Sequence, residues 1–522
     1  MNYTKHFQTK STPQTEKIPG TNQIPNSAGG FSWSVDLWAR LDRFLILGSE
    51  GGSYYASEKK LTIENAEAVQ KCLLSDGERT VNRIVEISTE GRAPKNDPAI
   101  FALAMCASLG DAKTKKAALY AMPKVCRIAT HLFQFLTAVQ SFRGWGFGLK
   151  KSVCAWYDDR TVDSLAYQMC KYRQRGGWTH RDVLRLAHPS KHSGLYDWIC
   201  GRNEDKTNNE MIEAFRALQS AQSGKDAAKI IEKNASLTWE MVPDALMKDE
   251  DVWKALLPNM PMTAMIRNFA RMTANGSLKP LSKEASTIVD KLKNADEIHK
   301  ARVHPIAILS ALKTYASGHG NLGSLTWQPI SPIMDALDEA FYRSFDNVEP
   351  TNKRHVLALD VSGSMSNGAV AGVQGLSPRV ASSAMAMVTA RTEPNYQVMA
   401  FSTKFMPLNI TPKQRLDDIC KMTEHLPFEG TDCALPMIWA LKNKVEADVF
   451  IVYTDSETWA GSIHPSQALV DYRKKMGINA KLIVCGMVAN DFTIADSNDG
   501  GMLDCVGFDS SVPAIMADFV SH

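Results

Sequence analysis

The periodicity of apolar residues changes once along the chain, near residues 347–355 (NVEPTNKRH), and this change limits the fold more than any other feature. From about residue 31 to 345, apolar side chains recur at helical spacing, as Ile306, Leu309 and Leu312 do. Gly, Pro and Asn interrupt these helical stretches at short intervals. A long row of short helices that pack in antiparallel pairs predicts an α-solenoid.

After residue 355, short apolar runs alternate with amphipathic stretches. Ser377 followed by Pro378, and Thr411 followed by Pro412, are typical of the first residues of a helix. Strands are predicted at 355–361, 396–402, 447–455 and 480–488, and helices at 377–392, 411–426, 434–444, 464–476 and 509–522. This alternation predicts a doubly wound parallel sheet with helices on both faces.

The segment that precedes the helices, residues 1–30, is polar and rich in Pro, Gly, Asn and Thr, so it is predicted to be a flexible N-terminal arm. The predicted domains are this arm, a helical domain over 31–350 and an α/β domain over 351–522. The chain shows neither the apolar segment of a signal peptide nor a run of about 18 apolar residues. We therefore expect a cytoplasmic protein that is neither exported nor embedded in a membrane.

Charge is unevenly distributed between the two large domains. Residues 351–522 contain 14 Lys and Arg against 18 Asp and Glu, whereas residues 1–350 contain 45 against 38. A basic helical domain beside an acidic α/β domain favours a polyanionic partner for the helical domain. An ordinary solvated surface is the alternative.

Carboxylate and hydroxyl groups follow the predicted strands of the α/β domain. In the segment ALDVSGSM (358–365), a strand ends on Asp360 and is followed by Ser362 and Ser364, a later strand ends on Asp455, and Thr431 lies in a loop before a helix. The carboxyl ends of parallel strands meet at one edge of the sheet, so these five side chains are expected to converge. Their oxygens suit one divalent ion, Mg²⁺, with water completing its shell. The alternative is that the serines only cap the next segment.

The same residues do not form the pattern of a hydrolase. A nucleophilic Ser362 would need a base beside it, but His355 begins the same strand and His464 begins a helix. Asp360 and Asp455 would be metal ligands rather than a free acid and base. We therefore expect no enzymatic activity and assign no catalytic residue.

Cationic side chains are concentrated in residues 170–194 (CKYRQRGGWTHRDVLRLAHPSKHSG), where Asp182 is the only acid. Lys171 and Arg175 are predicted to lie near the end of one helix. Thr179 and Asp182 are spaced as the reciprocal cap of the next helix. The candidate phosphate-binding residues of this stretch are Lys171, Arg173, Arg175, His180, Arg181, Arg185 and His188.

The spacing of Arg181, Arg185 and His188 places them on one face of that second helix. Arginine forks and lysine suit phosphate oxygens, which favours a partner that carries phosphate groups. A solvated face is the alternative. A further segment, MPMTAMIRNFARMTANG (260–276), places Arg267 and Arg271 four residues apart, and its alternative is a core helix.

Seven segments of the chain resemble the Ro/SS-A autoantigen family, the TROVE-module proteins. They are RFLILGSEGGSYYASEKKLT (43–62), KYRQRGGWTHRDVLRLAHP, WKALLPNMPMTAMIRNFARMTANG, RVHPIAILSALKTYASGHG, GTDCALPMIWA, VFIVYTDSETWAG and AKLIVCGMVANDFTIAD. The resemblance runs from about residue 31 to the end. It implies an α plus α/β fold, in which a ring of HEAT-like helical repeats is closed by a doubly wound, Rossmann-like von Willebrand factor A-like domain.

The resemblance assigns the metal-ion-dependent adhesion site of that domain to Asp360, Ser362, Ser364, Thr431 and Asp455. The chain departs from the family in the small, Gly-rich stretch SNGAVAGVQGL (366–376) that follows the first of these residues.

For function, the resemblance implies RNA binding. Family members hold small noncoding Y RNAs on the outer basic surface of the ring and take single-stranded 3′ ends of misfolded or aberrant RNAs through its central hole. Lys171, Arg175 and His188 match family positions implicated in Y RNA binding, and Arg267 and Arg271 are candidates for the hole. The resemblance also implies a role in RNA quality control, processing or decay under stress, and a 3′ exoribonuclease partner. A ring closed within one chain is expected to be a monomer.

Two other functions stay open. The α/β domain could be a metal-dependent docking or adhesion module, with helices that serve only as a spacer and no role in RNA binding. A metal-dependent nuclease acting at Asp360 and Asp455 is the third hypothesis. An RNA-binding protein is expected to bind RNA even after chelation of the metal. A docking module is expected to show no specific RNA binding, and a nuclease is expected to shorten RNA only when Mg²⁺ is present.

Overall fold

The structure is a computed structural model. It describes residues 11–48, 66–202, 209–320, 324–345, 348–370, 376–424, 426, 429–506, 508 and 511–522. Parts of the segments 43–62 and 366–376 therefore lie outside the described residues. None of the described helices is long and apolar enough to cross a membrane.

Eighteen α-helices form the helical domain within the described residues. They are α1 Leu37–Leu47, α2 Glu67–Ser75, α3 Gly77–Glu90, α4 Asp97–Leu109, α5 Ala112–Val125, α6 Ala129–Phe142, α7 Phe147–Asp158, α8 Val162–Lys171, α9 His180–Ala187, α10 Ser193–Ile199, α11 Glu210–Gln219, α12 Gly224–Lys233, α13 Glu250–Leu256, α14 Met262–Ala274, α15 Lys283–Lys293, α16 Ala295–Ala301, α17 Pro305–Ser317 and α18 Ser331–Arg343. Neighbouring helices pack on one another, as α4 does on α5 and α17 on α18. The apolar positions that predicted α17, namely Ile306, Leu309 and Leu312, are buried in the core. This packing of each helix on its sequence neighbours is that of a solenoid.

The row of helices closes on itself. Arg302 Nη1 donates to the carbonyl oxygen of Thr89 at 3.1 Å, although the two residues are 213 positions apart. His304 Nε2 lies 3.1 Å from the carbonyl oxygen of Arg92. The segment between α16 and α17 thus contacts the end of α3, which confirms the predicted ring.

The α/β domain contacts both ends of this ring. Arg43 of α1 forms an ion pair with Asp504 at 2.6 Å. Asp338 of α18 accepts a hydrogen bond from the backbone N–H of Leu416 at 2.8 Å and lies 3.5 Å from the Arg391 guanidinium. The α/β domain therefore bridges the first and last helices of the ring.

A six-stranded sheet is the centre of the α/β domain. Six of the eleven described strands form this sheet, and the other five lie outside it. The eleven strands are β1 Ile24–Pro25, β2 Phe31–Ser34, β3 Gln174–Arg175, β4 Trp178–Thr179, β5 His355–Asp360, β6 Tyr396–Phe401, β7 Phe405–Pro407, β8 Val449–Thr454, β9 Lys481–Gly486, β10 Phe492–Thr493 and β11 Met502–Val506. The strand order in the sheet is β11-β9-β8-β5-β6-β7. All neighbours are parallel except β7, which is antiparallel to β6. The predicted parallel sheet is thus confirmed, with one antiparallel edge strand that was not predicted.

Five α-helices accompany this sheet within the described residues. They are α19 Pro378–Thr392, α20 Leu416–Glu424, α21 Leu435–Lys442, α22 Pro465–Met476 and α23 Val512–Ser521. The predicted start of α20 at Thr411 is wrong, because the backbone N–H of Thr411 donates to the side chain of Gln414 and the helix begins only at Leu416. The Asp338 carboxylate caps Leu416 from the ring, so a tertiary contact sets this helix start.

The prediction of a flexible arm is wrong for residues 11–30. β1 pairs with β2, and β2 pairs in turn with β10 of the α/β domain, both antiparallel. Gln14 and Ile18 are fully buried. The polar side chains that suggested disorder instead form hydrogen bonds to the α/β domain.

Candidate metal centre and nucleic-acid interface

Three of the predicted metal ligands lie together at the end of β5. Asp360 is its last residue, and its Oδ1 accepts from the backbone N–H of Ser362 at 2.9 Å. The hydroxyls of Ser362 and Ser364 are 3.1 Å apart. All three side chains are buried. The turn after the strand therefore presents one carboxylate and two hydroxyls to the same place, as predicted.

The central strand β8 brings the second carboxylate to this point. Asp455 directly follows the last residue of β8. Burial is the largest cause of the raised pKa of Asp455, and the nearby carboxylates of Asp360 and Glu457 raise it further. Thr454, which the sequence reasoning missed, donates from Oγ1 to Asp360 Oδ2 at 2.6 Å. The position of Thr454 beside Asp455, at the end of the same strand, could have identified it from the sequence.

Thr431 is hydrogen-bonded to the loop that follows Asp455. Its carbonyl oxygen accepts hydrogen bonds from the backbone N–H groups of Trp459 and Ala460, both at 3.0 Å. The side chain of Thr431 is buried. The loop that carries Thr431 and the loop that carries Asp455 are thus joined to each other.

The chemistry of this group fits a hard divalent cation. Asp455 Oδ2 is buried and has no hydrogen-bond partner among the described residues. Burial raises the pKa of Asp360 as well, so two adjacent carboxyls carry an electrostatic cost that a cation offsets. No group of three or more His, Cys, Asp or Glu suited to a metal occurs in the described part of the chain, so a metal here depends on hydroxyl ligands.

The basic stretch forms a hairpin and a short helix rather than two helices. α8 ends at Lys171, and Arg175 lies on β3, which pairs with β4 through a turn at Gly176 and Gly177. Both glycines have positive φ, 55° and 83°, a conformation that side chains with a Cβ disfavour. The prediction that Arg175 belongs to the same helix as Lys171 is therefore wrong.

The second helix of the stretch, α9, begins as predicted. The Thr179 hydroxyl caps the backbone N–H of Asp182, and the Asp182 carboxylate accepts from the backbone N–H of Thr179 at 3.0 Å. The Thr179 hydroxyl also donates to Asp182 Oδ2 at 2.6 Å. The only acid of the stretch is thus engaged in this cap.

Five of the seven candidate cations in this stretch are exposed. Within the described residues, none of the four arginines among them forms a salt bridge. We call these five side chains the basic surface: Arg173, Arg175, Arg181, Arg185 and His188. Exposed cationic side chains that form no salt bridge are available to phosphate oxygens.

Arg267 and Arg271 lie on a different helix, α14, and both are exposed. Arg267 lines a groove of about 280 Å³ between α14 and α17, together with Lys95. Arg271 lines a separate hollow together with Lys248. These arginines therefore lie on a helix separate from the basic surface. The apolar residues of that helix, such as Met265 and Phe269, are buried, as the alternative of a core helix predicted.

Comparison with known proteins decides the family. The TROVE domain model matches residues 24–228 and 206–314, and the Ro60 vWA domain model matches residues 354–520. The chain belongs to the Ro/SS-A family. A relative from Deinococcus radiodurans, named RNA-binding protein RO60, is 39% identical over 97% of each chain. Another protein of that name, from Caenorhabditis elegans, is 36% identical over 97% of this chain and 91% of its own.

A solved structure of the Ro family has the same fold. The crystal structure of the Deinococcus radiodurans Ro (Rsr) protein superposes with a TM-score of 0.71 at 38% sequence identity. The match covers 93% of this chain and 99% of that chain. The ring and the α/β domain described above are thus the Ro architecture.

Two candidate RNA-binding residues of this Ro chain are not free surface cations. His180 is 2% exposed, its Nδ1 lies 2.8 Å from the Tyr157 hydroxyl, and its ring packs edge-on against Phe133. The prediction that His180 contacts RNA is therefore wrong. The Lys171 side chain is only 9% exposed, donates to the Tyr167 hydroxyl at 2.9 Å and lies 3.6 Å from Glu240. The Lys171 ammonium group is therefore paired within the protein.

The buried His180 predicts a pH dependence of stability for this Ro protein. Burial lowers its pKa from 6.5 to about 4, so between these values the unfolded chain binds a proton that the folded chain does not. The free energy of unfolding therefore falls as pH decreases from 6.5 towards 4. His180→Asn removes the titrating group, and we expect it to reduce the loss of stability between pH 7 and pH 4.5 by ~2 kcal/mol. Urea denaturation at the two pH values measures this, and equal losses in both proteins would contradict it.

Proposed function

We propose that the chain is an RNA-binding protein that grips RNA through the basic surface. The observation that carries this proposal is the exposure of four arginines on one hairpin and the adjoining helix, while the only acid of the stretch serves as a helix cap. A planar guanidinium can form two parallel hydrogen bonds to phosphate oxygens. Both relatives carry the name RNA-binding protein, which supports the same function here.

The RNA that we propose for this surface is a small structured noncoding RNA of the Y class. A second RNA, with a single-stranded 3′ end, would enter the ring and meet Arg267 and Arg271. A hole selects such RNA by shape, because an unpaired strand passes where a duplex does not. In this proposal the protein acts as a cytoplasmic monomer in RNA quality control, processing or decay under stress, with a 3′ exoribonuclease as partner.

We also propose that Asp360, Ser362, Ser364, Thr431 and Asp455 hold one Mg²⁺ ion. The unpaired Asp455 Oδ2 and the adjacent carboxylate of Asp360 support this ligand set. The ion would supply an electrophilic point for an oxygen of a partner molecule, while Thr454 keeps Asp360 oriented. The site would thus recruit a partner and carry out no chemistry.

A gel-shift experiment tests these roles together. A structured small RNA and an RNA with a single-stranded 3′ overhang are each titrated with the protein, with and without EDTA. We expect binding of both RNAs to survive chelation, because the basic surface and the metal centre belong to different domains. We expect Asp360→Ala to abolish divalent-metal binding in calorimetry and to leave RNA binding intact.

Other results of the gel-shift experiment would favour a docking module or a nuclease instead. An absence of specific RNA binding would favour a metal-dependent docking module. Shortening of the RNA only in the presence of Mg²⁺, and its loss in Asp360→Ala, would favour a nuclease. Loss of RNA binding on chelation would contradict the separation of the two sites.

A further inference from the structure

The N-terminal segment of the chain lies across the two loops that carry Thr431 and Asp455. The segment forms a hydrogen bond to each residue from 456 to 458. Ser32 Oγ donates to the carbonyl oxygen of Ser456 at 3.2 Å, and the backbone N–H of Ala28 donates to Glu457 Oε2 at 3.0 Å. Asn26 Nδ2 donates to the carbonyl oxygen of Thr458 at 2.7 Å. The backbone at Gly30 is so close that an added Cβ would lie 2.0 Å from the Thr458 carbonyl oxygen.

Gln14 is the point at which this segment joins both loops. Its Nε2 donates to Asp432 Oδ1 at 2.7 Å and to the carbonyl oxygen of Ile463 at 2.9 Å. Its Oε1 accepts from the Thr458 hydroxyl at 2.6 Å and from the backbone N–H of Gly461 at 3.1 Å. The side chain is fully buried, so all four of its hydrogen bonds are made to protein.

The partners of Gln14 are neighbours of the metal ligands. Asp432 follows Thr431 directly, and Thr458 is three residues after Asp455. The Thr458 hydroxyl in turn accepts from the backbone N–H of Cys433 at 3.1 Å. One amide side chain therefore adds a link between the two loops from outside the centre, beside the hydrogen bonds that join the loops directly.

We propose that Gln14 is a positioning residue of the metal centre, which holds Thr431 and Asp455 at the separation that one divalent ion requires. This inference rests on the proposed metal centre. Residues that orient metal ligands without touching the metal have large effects on affinity, because a ligand that is free to move loses its place in the coordination shell. Mg²⁺ is sensitive to such displacement, because it demands near-ideal octahedral geometry.

The chain offers a matched control on the same segment. Gln23 is also a buried glutamine, 3% exposed, but its Nε2 lies 3.2 Å from His464 Nδ1 and its Oε1 accepts from the backbone N–H of Ile18 at 2.8 Å. These contacts fasten the segment to the start of α22 and do not reach either metal loop. Gln23→Met therefore removes two side-chain hydrogen bonds of the same segment, against four in Gln14→Met, without touching the residues that Gln14 contacts.

The test measures Mn²⁺ binding to the full chain by electron paramagnetic resonance, since Mn²⁺ accepts the same oxygen ligands as Mg²⁺. We expect Gln14→Met to weaken Mn²⁺ binding about tenfold or more and to change the zero-field splitting of the bound ion. We expect Gln23→Met to leave both quantities close to those of the wild type. Gln14→Glu keeps the size of the side chain but replaces the amide that donates to Asp432 by an acceptor. We expect it to weaken binding in the same direction, which keeps the test decisive if Gln14→Met does not fold.

Failure of this inference is distinct from failure of the metal centre. Unchanged affinity and spectrum in Gln14→Met or in Gln14→Glu, with binding abolished in Asp360→Ala, would overturn the role of Gln14 alone. An equal loss in Gln14→Met and Gln23→Met would overturn it too, because the effect would then be one of general stability. A wild-type protein that binds no Mn²⁺, or an Asp360→Ala variant that binds normally, would overturn the metal centre and this inference with it.

Discussion

Replacing Arg181 and Arg185 together by glutamate is expected to weaken the binding of a structured small RNA roughly tenfold or more at moderate salt. Both arginines are exposed on α9 and form no salt bridge within the described residues, so each is available to a phosphate. The reversal removes two attractive charges and adds two repulsive ones on the same helix face. The logarithm of the affinity should also depend less steeply on salt, with the slope reduced by about two for two lost phosphate contacts.

Arg267→Glu with Arg271→Glu is the matched control, because it reverses the same number of charges on another exposed helix face. It should weaken an RNA with a single-stranded 3′ overhang more than the structured RNA, whereas the change at Arg181 and Arg185 should do the opposite. Competition gel shifts with both RNAs measure the two effects on one scale. Equal losses for both RNAs in both variants would contradict the proposal of two separate surfaces.

Arg43→Met is expected to destabilise the protein by about 3–5 kcal/mol, because it leaves buried acceptors without their cation. Arg43 is only 2% exposed and pairs with Asp504 at 2.6 Å. Its Nη1 also donates to the Asn490 side chain at 2.6 Å and to the carbonyl oxygen of Phe492 at 3.1 Å. Since α1 and the α/β domain meet at this residue, the loss should appear as a lower midpoint of urea denaturation.

Arg473→Met is the control for this prediction. Arg473 pairs with Asp499 at the same distance of 2.6 Å, but both partners lie within the α/β domain and Arg473 is more exposed, at 17%. A more solvated pair contributes less, so we expect a clearly smaller loss of stability. Similar losses in the two variants would contradict the claim that Arg43 is a buried link between the ring and the α/β domain.

The approach of Asp360 and Asp455 at the proposed metal centre could be predicted from the sequence, because it depends only on which residues stand at the ends of the strands. Asp360 and Asp455 each come at the end of an apolar run, and parallel strands bring such ends together whatever the rest of the chain does. The capping box of Thr179 and Asp182 was also predictable, since all of its atoms lie within four residues. The hydrogen bond from Thr454 to Asp360 was not predicted, because a threonine inside a strand is ordinarily interpreted as a core residue.

Features that depend on distant contacts could not be predicted. Gln14 reaches its partners across more than 400 residues, so the polar segment around it could not be distinguished from a disordered arm. His180 is buried by Phe133 and Tyr157, which belong to other helices. Lys171 finds Glu240 far along the chain. Helical spacing places a side chain on a face, but only the packing of other helices decides whether that face meets water.

The hairpin at residues 174–179 shows a different limit. Arg175 was expected near the end of the helix that contains Lys171, but it lies on β3, and Gly176 and Gly177 form the two-residue turn between β3 and β4. Paired glycines suit both the end of a helix and such a turn, because either needs a residue that tolerates positive φ. The consequence for function is that Arg175 is presented by a strand beside α9 and not by the end of α8.

The salt dependence of RNA affinity tests the central claim of this account most directly. The dissociation constant of a structured small RNA would be measured for the wild-type protein from about 50 to 200 mM salt, the range over which several phosphate contacts have a large effect. We predict tight binding at the low end and a steep linear fall of log affinity with log salt, which becomes shallower when Arg181 and Arg185 are replaced. Absence of binding at the lowest salt, or an affinity that does not change with salt, would contradict the claim that exposed arginines of the ring hold RNA by its phosphates.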